Sequence, residues 1–476
     1  MPESRRIDRV ASFITGVFRA IVPDPFVIAV LLLVVACFGG LAFGDFNSTT
    51  PLPLSDKLAR LADAFRDNGT TPHIWSLLAF TTQMCMVLIS GHVLASTPAV
   101  GAAIRRVADL PATGAGGAAL VAFGACFTGV INWGLSLIVG ALLAREVGRS
   151  LQRRGIPHHY PIIVASGFFG LMVWHGGLSG SAPLTMTTIE GAKRTLTPDV
   201  VAKLAAAGYE AGVPLSQTLF TFSNALITGG LLVLVPLCVW FVSPRSGPMQ
   251  ACPEFAASDT VPERVPRSQQ TLPDRLDTSP LIPWFLAVVL AVGVWRFVSV
   301  KSLDAVGLNE ISAAMLVLGL VLHGSTRRFV AAVDGAASAC GGIIVQFPIY
   351  AALIGVVSAS GLIRVFADLA AAVPPAALPF TTFLSACVIN MFVPSGGAQW
   401  AVQGPVALSA ALEHGVAPGR IIMAVAYGDQ LTNMLQPFWA VPLLAITGAR
   451  ARDIVGYTAL VMLLTGVWVV LGMLVF

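Results

Sequence analysis

Two long stretches of the chain carry no charged residue, and their lengths constrain the fold more than any other feature. One stretch, residues 110–144, holds 35 uncharged positions, and the other, residues 369–412, holds 44. Because about 20 apolar residues cross a bilayer as one helix, each stretch is too long for a single span. Each also has Gly or Pro and a polar cluster near its middle. We predict two helical hairpins that enter the membrane and return to the side they came from, with two full spans as the alternative for 369–412.

The rest of the chain also has the pattern of a membrane protein. Hydrophobic residues make up 56% of it and charged residues only 11%, with a mean hydropathy of +0.81. Soluble domains carry about 25% charged residues, so the composition excludes a soluble enzyme, a disordered chain and a nucleic-acid-binding protein. We therefore predict an all-α polytopic membrane protein. Its other charge-poor stretches lie at about 26–44, 74–104, 155–189, 211–244, 278–295, 311–326, 335–363, 421–449 and 454–476.

The basic residues support a topology with the N-terminus in the cytoplasm. If both long stretches are hairpins, 18 of the 28 Lys and Arg residues fall on the cytoplasmic side. This bias agrees with the positive-inside rule. The pair Arg105–Arg106 and the cluster Arg145–Arg154 flank the first long stretch, and a single crossing there would place one of them outside.

Four segments follow from this topology. Residues 1–25 alternate Arg with apolar residues and are predicted to form an interfacial amphipathic helix, the alternative being a short solvated tail. Residues 26–244 form a first half, and residues 281–476 form a second half. Between them, residues 245–280 are rich in Pro, Ser, Arg and Glu and are predicted to be a cytoplasmic linker.

The two halves resemble each other. Val130–Asn132 recurs as Val388–Asn390 at an offset of 258, and two further matches follow in order at an offset of 259. In each half, a span interrupted by Gly, Pro or hydroxyl residues follows the hairpin, at about 161–189 and 421–449. With the topology above, the copies have opposite orientation, which is typical of secondary transporters with a binding site at the midplane. The alternative is a chance match between apolar sequences.

The polar residues of the hairpin tips and of the first break are the candidate substrate ligands. An amide at each tip, Asn132 and Asn390, can donate to a carboxylate or tie the tip together. Gly396 and Gly397 permit close approach of an anion to the backbone, unless they only form a turn. No Lys or Arg lies near either tip, which favours a small monoanion. The predicted substrate-binding residues are Asn132, Trp133, Gly134, Ser179, Gly180, Ser181, Asn390, Ser395, Gly396, Gly397 and Gln399.

Asp429 is the one carboxylate well inside a predicted span. Ionised carboxylates are costly there and usually serve a function, so we assign Asp429 to ion coupling, with a structural hydrogen-bonded Asp as the alternative. His175 lies in the first break and is a second candidate for coupling, with a packed core histidine as the alternative. Asn433 lies one helical turn after Asp429. The coupling ion is a transported H⁺ or a bound Na⁺, and no other cofactor is expected.

No catalytic or metal-binding motif is present. The chain lacks HExxH, a GxSxG with a triad and a nucleotide-binding loop, so it is not expected to be an enzyme or to drive transport with ATP by itself. The seven cysteines form no CxxC pair, and His158–His159 have no further ligands nearby. An intramembrane enzyme or a receptor-like protein would need a nucleophile–base pair at depth or a large extramembrane domain.

Several motifs are similar to those of a known family. In the first half they are Ser90–Ser96, Val130–Gly134, Ala144–Val147 and Trp174–Ser181, preceded by Val22–Pro25. In the second half they are Asn390–Pro405, Ala426–Gln430 and Asn433–Trp439. With these motifs the chain resembles the bacterial short-chain fatty acid transporter family over nearly its whole length.

The resemblance implies uptake of acetoacetate, butyrate and similar small monocarboxylates. It also implies the fold of the wider ion transporter superfamily, with inverted repeats and two re-entrant hairpins, and it suggests a homodimer. The expected partners are the substrate and the lipid bilayer, with no nucleic acid, in the bacterial cytoplasmic (inner) membrane. A transporter or antiporter of other small organic anions, such as dicarboxylates, is the alternative on the same scaffold.

Overall fold

The chain folds into helices joined by turns and extended linkers. The computed structural model describes residues 23–67, 72–245, 249–253, 270–301, 308–337 and 340–475, and every regular element in these ranges is helical. The prediction of an all-α membrane protein is confirmed. The predicted interfacial helix falls almost wholly on residues 1–22, outside the described part, as do residues 246–248 and 254–269 of the predicted linker.

The α-helices are numbered here in chain order. They are α1 (Pro25–Phe43), α2 (Leu54–Ala62), α3 (Leu78–Ala95), α4 (Pro98–Ala108), α5 (Gly114–Ile131), α6 (Trp133–Arg153), α7 (Tyr160–Phe168), α8 (Ser181–Thr185), α9 (Ile189–Thr195), α10 (Pro198–Ala206), α11 (Phe222–Val242), α12 (Leu272–Thr278), α13 (Leu281–Lys301), α14 (Leu308–His323), α15 (Thr326–Ala337), α16 (Gly341–Ser360), α17 (Leu362–Ala371), α18 (Leu378–Asn390), α19 (Gly396–Glu413), α20 (Pro418–Thr432), α21 (Pro437–Thr447) and α22 (Ala451–Val475).

Seven of the described helices are long and apolar enough to cross a membrane. They are Pro25–Phe43, Leu78–Ala95, Gly114–Ile131, Phe222–Val242, Leu281–Val300, Gly341–Ser360 and Ala451–Val475. The clearest example is α13, where Phe285 and Trp295 are 73% and 70% exposed. Such a belt of exposed large apolar side chains is unfavourable in water and favourable against lipid. These helices make the protein a multi-pass membrane protein.

The first long uncharged stretch forms two helices, α5 and α6, which meet at Asn132 and pack along each other. Helix α6 continues to Arg153, nine residues past residue 144, where the predicted hairpin ends. It can do so because buried Glu146 pairs with Arg145 and Arg149, at 3.3 and 3.0 Å, within the last turns of the helix.

The first break follows α7. The chain makes a short 3-10 helix at Phe169–Met172, runs through turns over residues 173–180 and restarts a helix at Ser181. A backbone hydrogen bond of 2.7 Å from Leu178 N to Val130 O attaches these turns to the first hairpin. The break therefore lies beside the tip of α5 and α6.

The second long uncharged stretch forms α18 and α19, joined by residues 391–395. With 13 residues, α18 is about 20 Å long, shorter than the hydrocarbon core of about 30 Å. This length favours a hairpin over two full spans. Residues 369–371, at the start of the predicted stretch, belong instead to the end of α17.

The second break follows α20. A 3-10 helix spans Asn433–Leu435, Gln436 is extended, and α21 then begins. Helix α20 packs on α18 and α19 of its own half and also contacts α8 and the 3-10 helix Phe169–Met172 of the first half. The two breaks are therefore brought together at the middle of the molecule.

Candidate functional site

A cavity of about 220 Å³ lies where the two breaks and the tip of the second hairpin meet. Its walls come from both halves of the chain: Leu77, Phe80, Trp133, Leu171, Trp174, Ser181, Ile354, Pro394, Ser395, Gly396, Gly397, Asn433, Phe438 and Trp439. We call it the central cavity. Pockets for drug-sized ligands hold about 300–1,000 Å³, so this one is suited to a smaller molecule.

The polar part of the central cavity is built around the start of α19. Ser395 caps this helix, its Oγ accepting from Ala398 N at 3.4 Å. The first N–H groups of a helix have no partner within the helix, and the helix dipole makes this end partly positive. Gly397 is exposed to the cavity, and a Cβ added there would meet nothing within 4 Å. Backbone N–H groups are thus accessible to an anion, beside the hydroxyl of Ser181 and the amide of Asn433.

Aromatic rings form most of the remaining wall. Trp439 packs edge to face on Trp133, with 5.0 Å between ring centroids, and on Phe438, with 4.9 Å. Trp133 also contacts Trp174 at 6.3 Å. Among the described lining residues there is no Asp, Glu, Lys or Arg. The cavity therefore combines an uncharged donor end with an apolar, aromatic remainder, which fits a small molecule with one anionic end.

Behind the wall, His175 and Asp429 form a buried pair. Their Nδ1 and Oδ1 atoms are 3.1 Å apart, and the side chains are 0% and 1% exposed. The other ring nitrogen, Nε2, lies 3.1 Å from the backbone N–H of Ala182 and must accept from it. The ring proton of neutral His175 is therefore assigned to Nδ1, which donates to Asp429. The Oδ2 atom of Asp429 is buried and has no hydrogen-bond partner among the described residues.

One aromatic ring separates this pair from the central cavity. Trp174 lines the cavity and stacks on His175, with ring centroids 4.3 Å apart and planes inclined by 22°. His175 is therefore in direct contact with a residue of the cavity wall.

Asn390 makes a second connection between Asp429 and the cavity. Its Nδ2 lies 2.7 Å from the backbone oxygen of Asp429, 3.0 Å from Thr432 Oγ1 and 3.0 Å from Oδ1 of the cavity residue Asn433. Its backbone oxygen accepts from Gln436. Asn390 is fully buried, so it joins the tip of the second hairpin to the second break.

Three polar residues that the sequence did not single out hold the first break in place. Gln430 Oε1 accepts from the N–H groups of His175 and Gly176, at 3.1 and 3.0 Å. Asn224 of α11 donates to Gly176 O at 2.9 Å and accepts from the Tyr427 hydroxyl at 3.0 Å. The backbone N–H groups of His175 and Gly176 and the backbone oxygen of Gly176 are thus bonded to side chains of other helices. The one sequence signal that could have identified these three residues is their polar character within apolar spans.

Six of the predicted site residues line the central cavity: Trp133, Ser181, Ser395, Gly396, Gly397 and Asn433. Asn132 instead caps α6, its Oδ1 accepting from Gly134 N and Leu135 N at 2.9 and 3.1 Å. Ser179 accepts from Trp133 N at 3.0 Å.

Three further predicted residues lie behind the described lining. Gln399 is buried and donates to Ala386 O across the second hairpin at 3.1 Å. Gly134 is buried in the first turn of α6. At Gly180 an added Cβ would lie 2.2 Å from His175 O, so this position needs glycine.

The aromatic wall is the part of the cavity that the sequence did not predict. Phe80, Trp174, Phe438 and Trp439 line it, with Leu77, Leu171, Ile354 and Pro394. Aromatic residues in apolar spans pack against lipid, core or ligand alike, so their type alone does not distinguish these roles. The described residues contain no group of three or more His, Cys, Asp or Glu that could hold a metal ion.

Two curated proteins are similar to this chain over almost their whole length. One, from Escherichia coli (strain K12), is 32% identical over 477 residues, covering 99% of this chain and all of that protein. The other, from Haemophilus influenzae (strain ATCC 51907 / DSM 11121 / KW20 / Rd), is 31% identical over 473 residues, covering 98% of this chain and 99% of that protein. Both carry the provisional name of short-chain fatty acid transporter.

Two solved structures align with most of the chain at 16% identity. The alignment with the Alcanivorax borkumensis YdaH transporter includes 95% of this chain and 97% of the transporter chain, at a TM-score of 0.40. Neisseria gonorrhoeae MtrF, described as one of a class of antimetabolite efflux pumps, covers 98% of this chain with 96% of its own, at a TM-score of 0.39. Both TM-scores are below 0.5, so no residue of this chain is assigned a place or a role from either structure.

The family comparison covers the chain from end to end. The family described as "Short chain fatty acid transporter" matches residues 6–476. Its members are transporters and not enzymes, in agreement with the prediction from the missing catalytic motifs. With full-length relatives above 30% identity as well, the chain belongs to the short-chain fatty acid transporter family.

Proposed function

We propose that this protein carries short-chain monocarboxylates such as butyrate and acetoacetate across the bacterial inner membrane by alternating access. The observation that carries the proposal is the central cavity, which is small, uncharged among its described residues and amphipathic. Family membership supports the same substrate class.

The carboxylate of the substrate would bind at the start of α19. The N–H groups of Gly396 and Gly397 and the hydroxyl of Ser181 supply donors without a full positive charge, and the amide of Asn433 lies on the same wall. Donors of this kind bind a monoanion while leaving it able to dissociate, as transport requires. The short hydrocarbon chain would then lie against Trp439 and Phe438.

Coupling would act through Asp429 and His175. A proton on the unpartnered Oδ2 of Asp429 would remove the buried negative charge while Oδ1 keeps its hydrogen bond from His175. Trp174 and Asn390 connect this pair to the cavity, so substrate binding and protonation can influence each other. We favour H⁺ as the coupling ion, because the pair needs only one added proton to become neutral, and Na⁺ is the second candidate.

Alternating access would use the contact between the two halves. The site is shared by a break from each half, and in inverted-repeat transporters one unit moves against the other around such a site. The bonds from Gln430 to His175 and from Tyr427 to Asn224 cross this contact and would keep the breaks together during the movement.

The competing function is transport of dicarboxylates. A second carboxylate would need a second set of donors, whereas the opposite wall of the described cavity is aromatic. The test is uptake of labelled butyrate into proteoliposomes in competition with unlabelled acids. We expect acetoacetate and propionate to inhibit uptake and succinate to have little effect. Inhibition by succinate at lower concentration than by acetoacetate would contradict the assignment.

A further inference from the structure

A second and larger cavity, of about 550 Å³, lies between the start of α1, helices α16 and α21 and the start of α22. It is lined by Pro23, Asp24, Pro25, Gly342, Gln346, Val441, Leu444, Ala445, Ala449, Arg450, Ala451 and Arg452. We call it the arginine cavity. None of its residues was predicted as part of a site, and the central cavity shares no described lining residue with it.

The two cavities lie in line along the same pair of helices. On α16, Gln346 lines the arginine cavity and Ile354 lines the central cavity, eight residues or about 12 Å along the helix axis. On α21, Trp439 lines the central cavity, and Val441 and Leu444 line the arginine cavity. Along the chain the arginine cavity comes first on α16 and second on α21, which is the order expected for two packed helices that run antiparallel.

A layer of stacked rings lies between them. Phe347 of α16 and Phe438 of α21 stack with centroids 4.3 Å apart and planes inclined by 19°. Phe80 of α3 stacks on both, at 5.9 and 6.3 Å. Phe347 is fully buried and Phe438 is 2% exposed. The layer is held by ring packing across three helices. Phe80 and Phe438 also line the central cavity, and Phe347 follows Gln346 of the arginine cavity in the chain, so the layer lies at the boundary between the two cavities.

The arginine cavity has the chemistry to hold a carboxylate. Arg452 is exposed and makes no ion pair among the described residues. Arg450 pairs with Asp453 at 2.8 Å, and Asp24 caps α1 through a 2.9 Å bond from Phe26 N. Asp453 thus neutralises Arg450, Asp24 keeps its charge at the start of α1, and Arg452 is left to attract an anion. Gln346 of α16 lines the same cavity and is 9% exposed, and its amide NH₂ group is of the type that donates to a carboxylate.

We propose that the arginine cavity is the vestibule of the transport pathway, a second carboxylate-binding site that is separated from the central cavity by the Phe347–Phe438 stack. The inference rests on the proposed function, since it names the site through which the same substrate enters or leaves. Arg452 raises the local concentration of the monoanion, and the stack opens only when the halves move.

The decisive variant is Arg452→Gln, with Arg106→Gln, an exposed arginine outside the arginine cavity, as the matched control. Exchange of labelled butyrate is measured in right-side-out and in inside-out membrane vesicles. Removing one charge should raise the half-saturating butyrate concentration about fivefold on the side where the arginine cavity opens. The opposite side and the control should be unchanged, and a loss that is equal on both sides would overturn the vestibule assignment.

Lipid composition distinguishes the substrate from an anionic headgroup as the occupant. The same exchange is measured in proteoliposomes of pure phosphatidylcholine and of phosphatidylcholine with phosphatidylglycerol. The effect of Arg452→Gln should persist in both. If it appears only with phosphatidylglycerol, the arginine cavity binds lipid and the proposal is wrong. If the wild-type protein exchanges no butyrate at all, the proposed function itself fails.

The ring layer is tested with Phe347→Ala, and with Phe347→Leu as the control that retains most of the side-chain volume. With the smaller side chain, passive butyrate flux without an ion gradient should rise severalfold, while Phe347→Leu should stay near the wild type. Folding is checked by the elution profile in detergent. A folded Phe347→Ala protein with wild-type passive flux would show that the stack does not separate the two cavities.

Discussion

His175 donates from Nδ1 to Oδ1 of Asp429 over 3.1 Å, so that one proton joins the broken segments of the two halves. The bond is fully buried, and the Ala182 N–H at Nε2 fixes which nitrogen carries the proton. If the ring were protonated, its Nε2–H would face the Ala182 N–H, and because two donors repel each other, the start of α8 would be displaced. Because Ser181 at that start lines the central cavity, we propose that the position of this proton influences the shape of the cavity.

Asp429→Asn should separate coupling from binding. The amide keeps the size of the side chain but no longer takes up a proton. We expect accumulation driven by a pH gradient to fall by about tenfold or more, while exchange of butyrate at equal pH continues. Asp368→Asn, an exposed acid on α17, is the control. Gradient-driven uptake that survives in Asp429→Asn would remove this residue from the coupling mechanism.

His175→Leu should lower the stability of the protein. The change leaves the Ala182 N–H and Asp429 Oδ1 buried without partners, at a cost of about 2–5 kcal/mol together. Thermal unfolding in detergent should show a clearly lower midpoint, with His175→Gln intermediate because an amide can restore part of the bonding. His414→Leu, at an exposed position, should leave the midpoint unchanged. Equal midpoints for His175→Leu and the wild type would contradict the hydrogen-bond assignment.

Gly176→Ala should disturb the first break. An added Cβ would lie 2.3 Å from Thr228 Oγ1 and 2.9 Å from Asn224 Oδ1, so the loop or α11 has to move. The prediction is reduced folded yield and loss of transport. Gly229→Ala on the same helix as these neighbours meets nothing within 4 Å and serves as the matched control. A Gly176→Ala protein with wild-type yield and transport would show that the close contact is not required.

Trp439→Ala should shift the preference toward longer acids. The ring forms part of the apolar wall, and its removal makes room for further CH₂ groups of the substrate. Burying two more CH₂ groups is worth about 0.8 kcal/mol each, so the ratio of hexanoate to butyrate transport should rise about tenfold. Trp295→Ala, at a 70% exposed ring on α13, should leave the ratio unchanged. An unchanged ratio in Trp439→Ala would place the substrate chain elsewhere.

Charge distribution and polar interruptions were enough to predict the main elements of the fold. Uncharged stretches of abnormal length predicted helices that meet at Asn132, and the polar run at Asn390 predicted the turn between α18 and α19. These signals are local, because each depends on residues that follow one another in the chain. The end of α6 was missed because Glu146 neutralises Arg149 within the helix, which charge counting alone does not anticipate.

The candidate site was predicted only in part, since its geometry depends on contacts between distant segments. His175 and Asp429 were each singled out as polar residues in apolar spans, yet 254 positions separate them and no local pattern pairs them. Whether Asn132 faces substrate or caps a helix is likewise decided by the turn it occupies, where it caps α6. Phe438 and Trp439 belong to the family motif Asn433–Trp439, but aromatic residues in an apolar span gave no signal of their own for a binding site.

Proton-coupled monocarboxylate transport is tested by uptake of labelled butyrate by the purified protein in proteoliposomes under an imposed pH gradient, with a Na⁺ gradient as the parallel arm. We expect accumulation above the equilibrium level, collapse of that accumulation by a protonophore and competition by acetoacetate. Uptake that never exceeds protein-free liposomes would contradict monocarboxylate transport. Accumulation that depends only on the Na⁺ gradient would contradict the proton at Asp429.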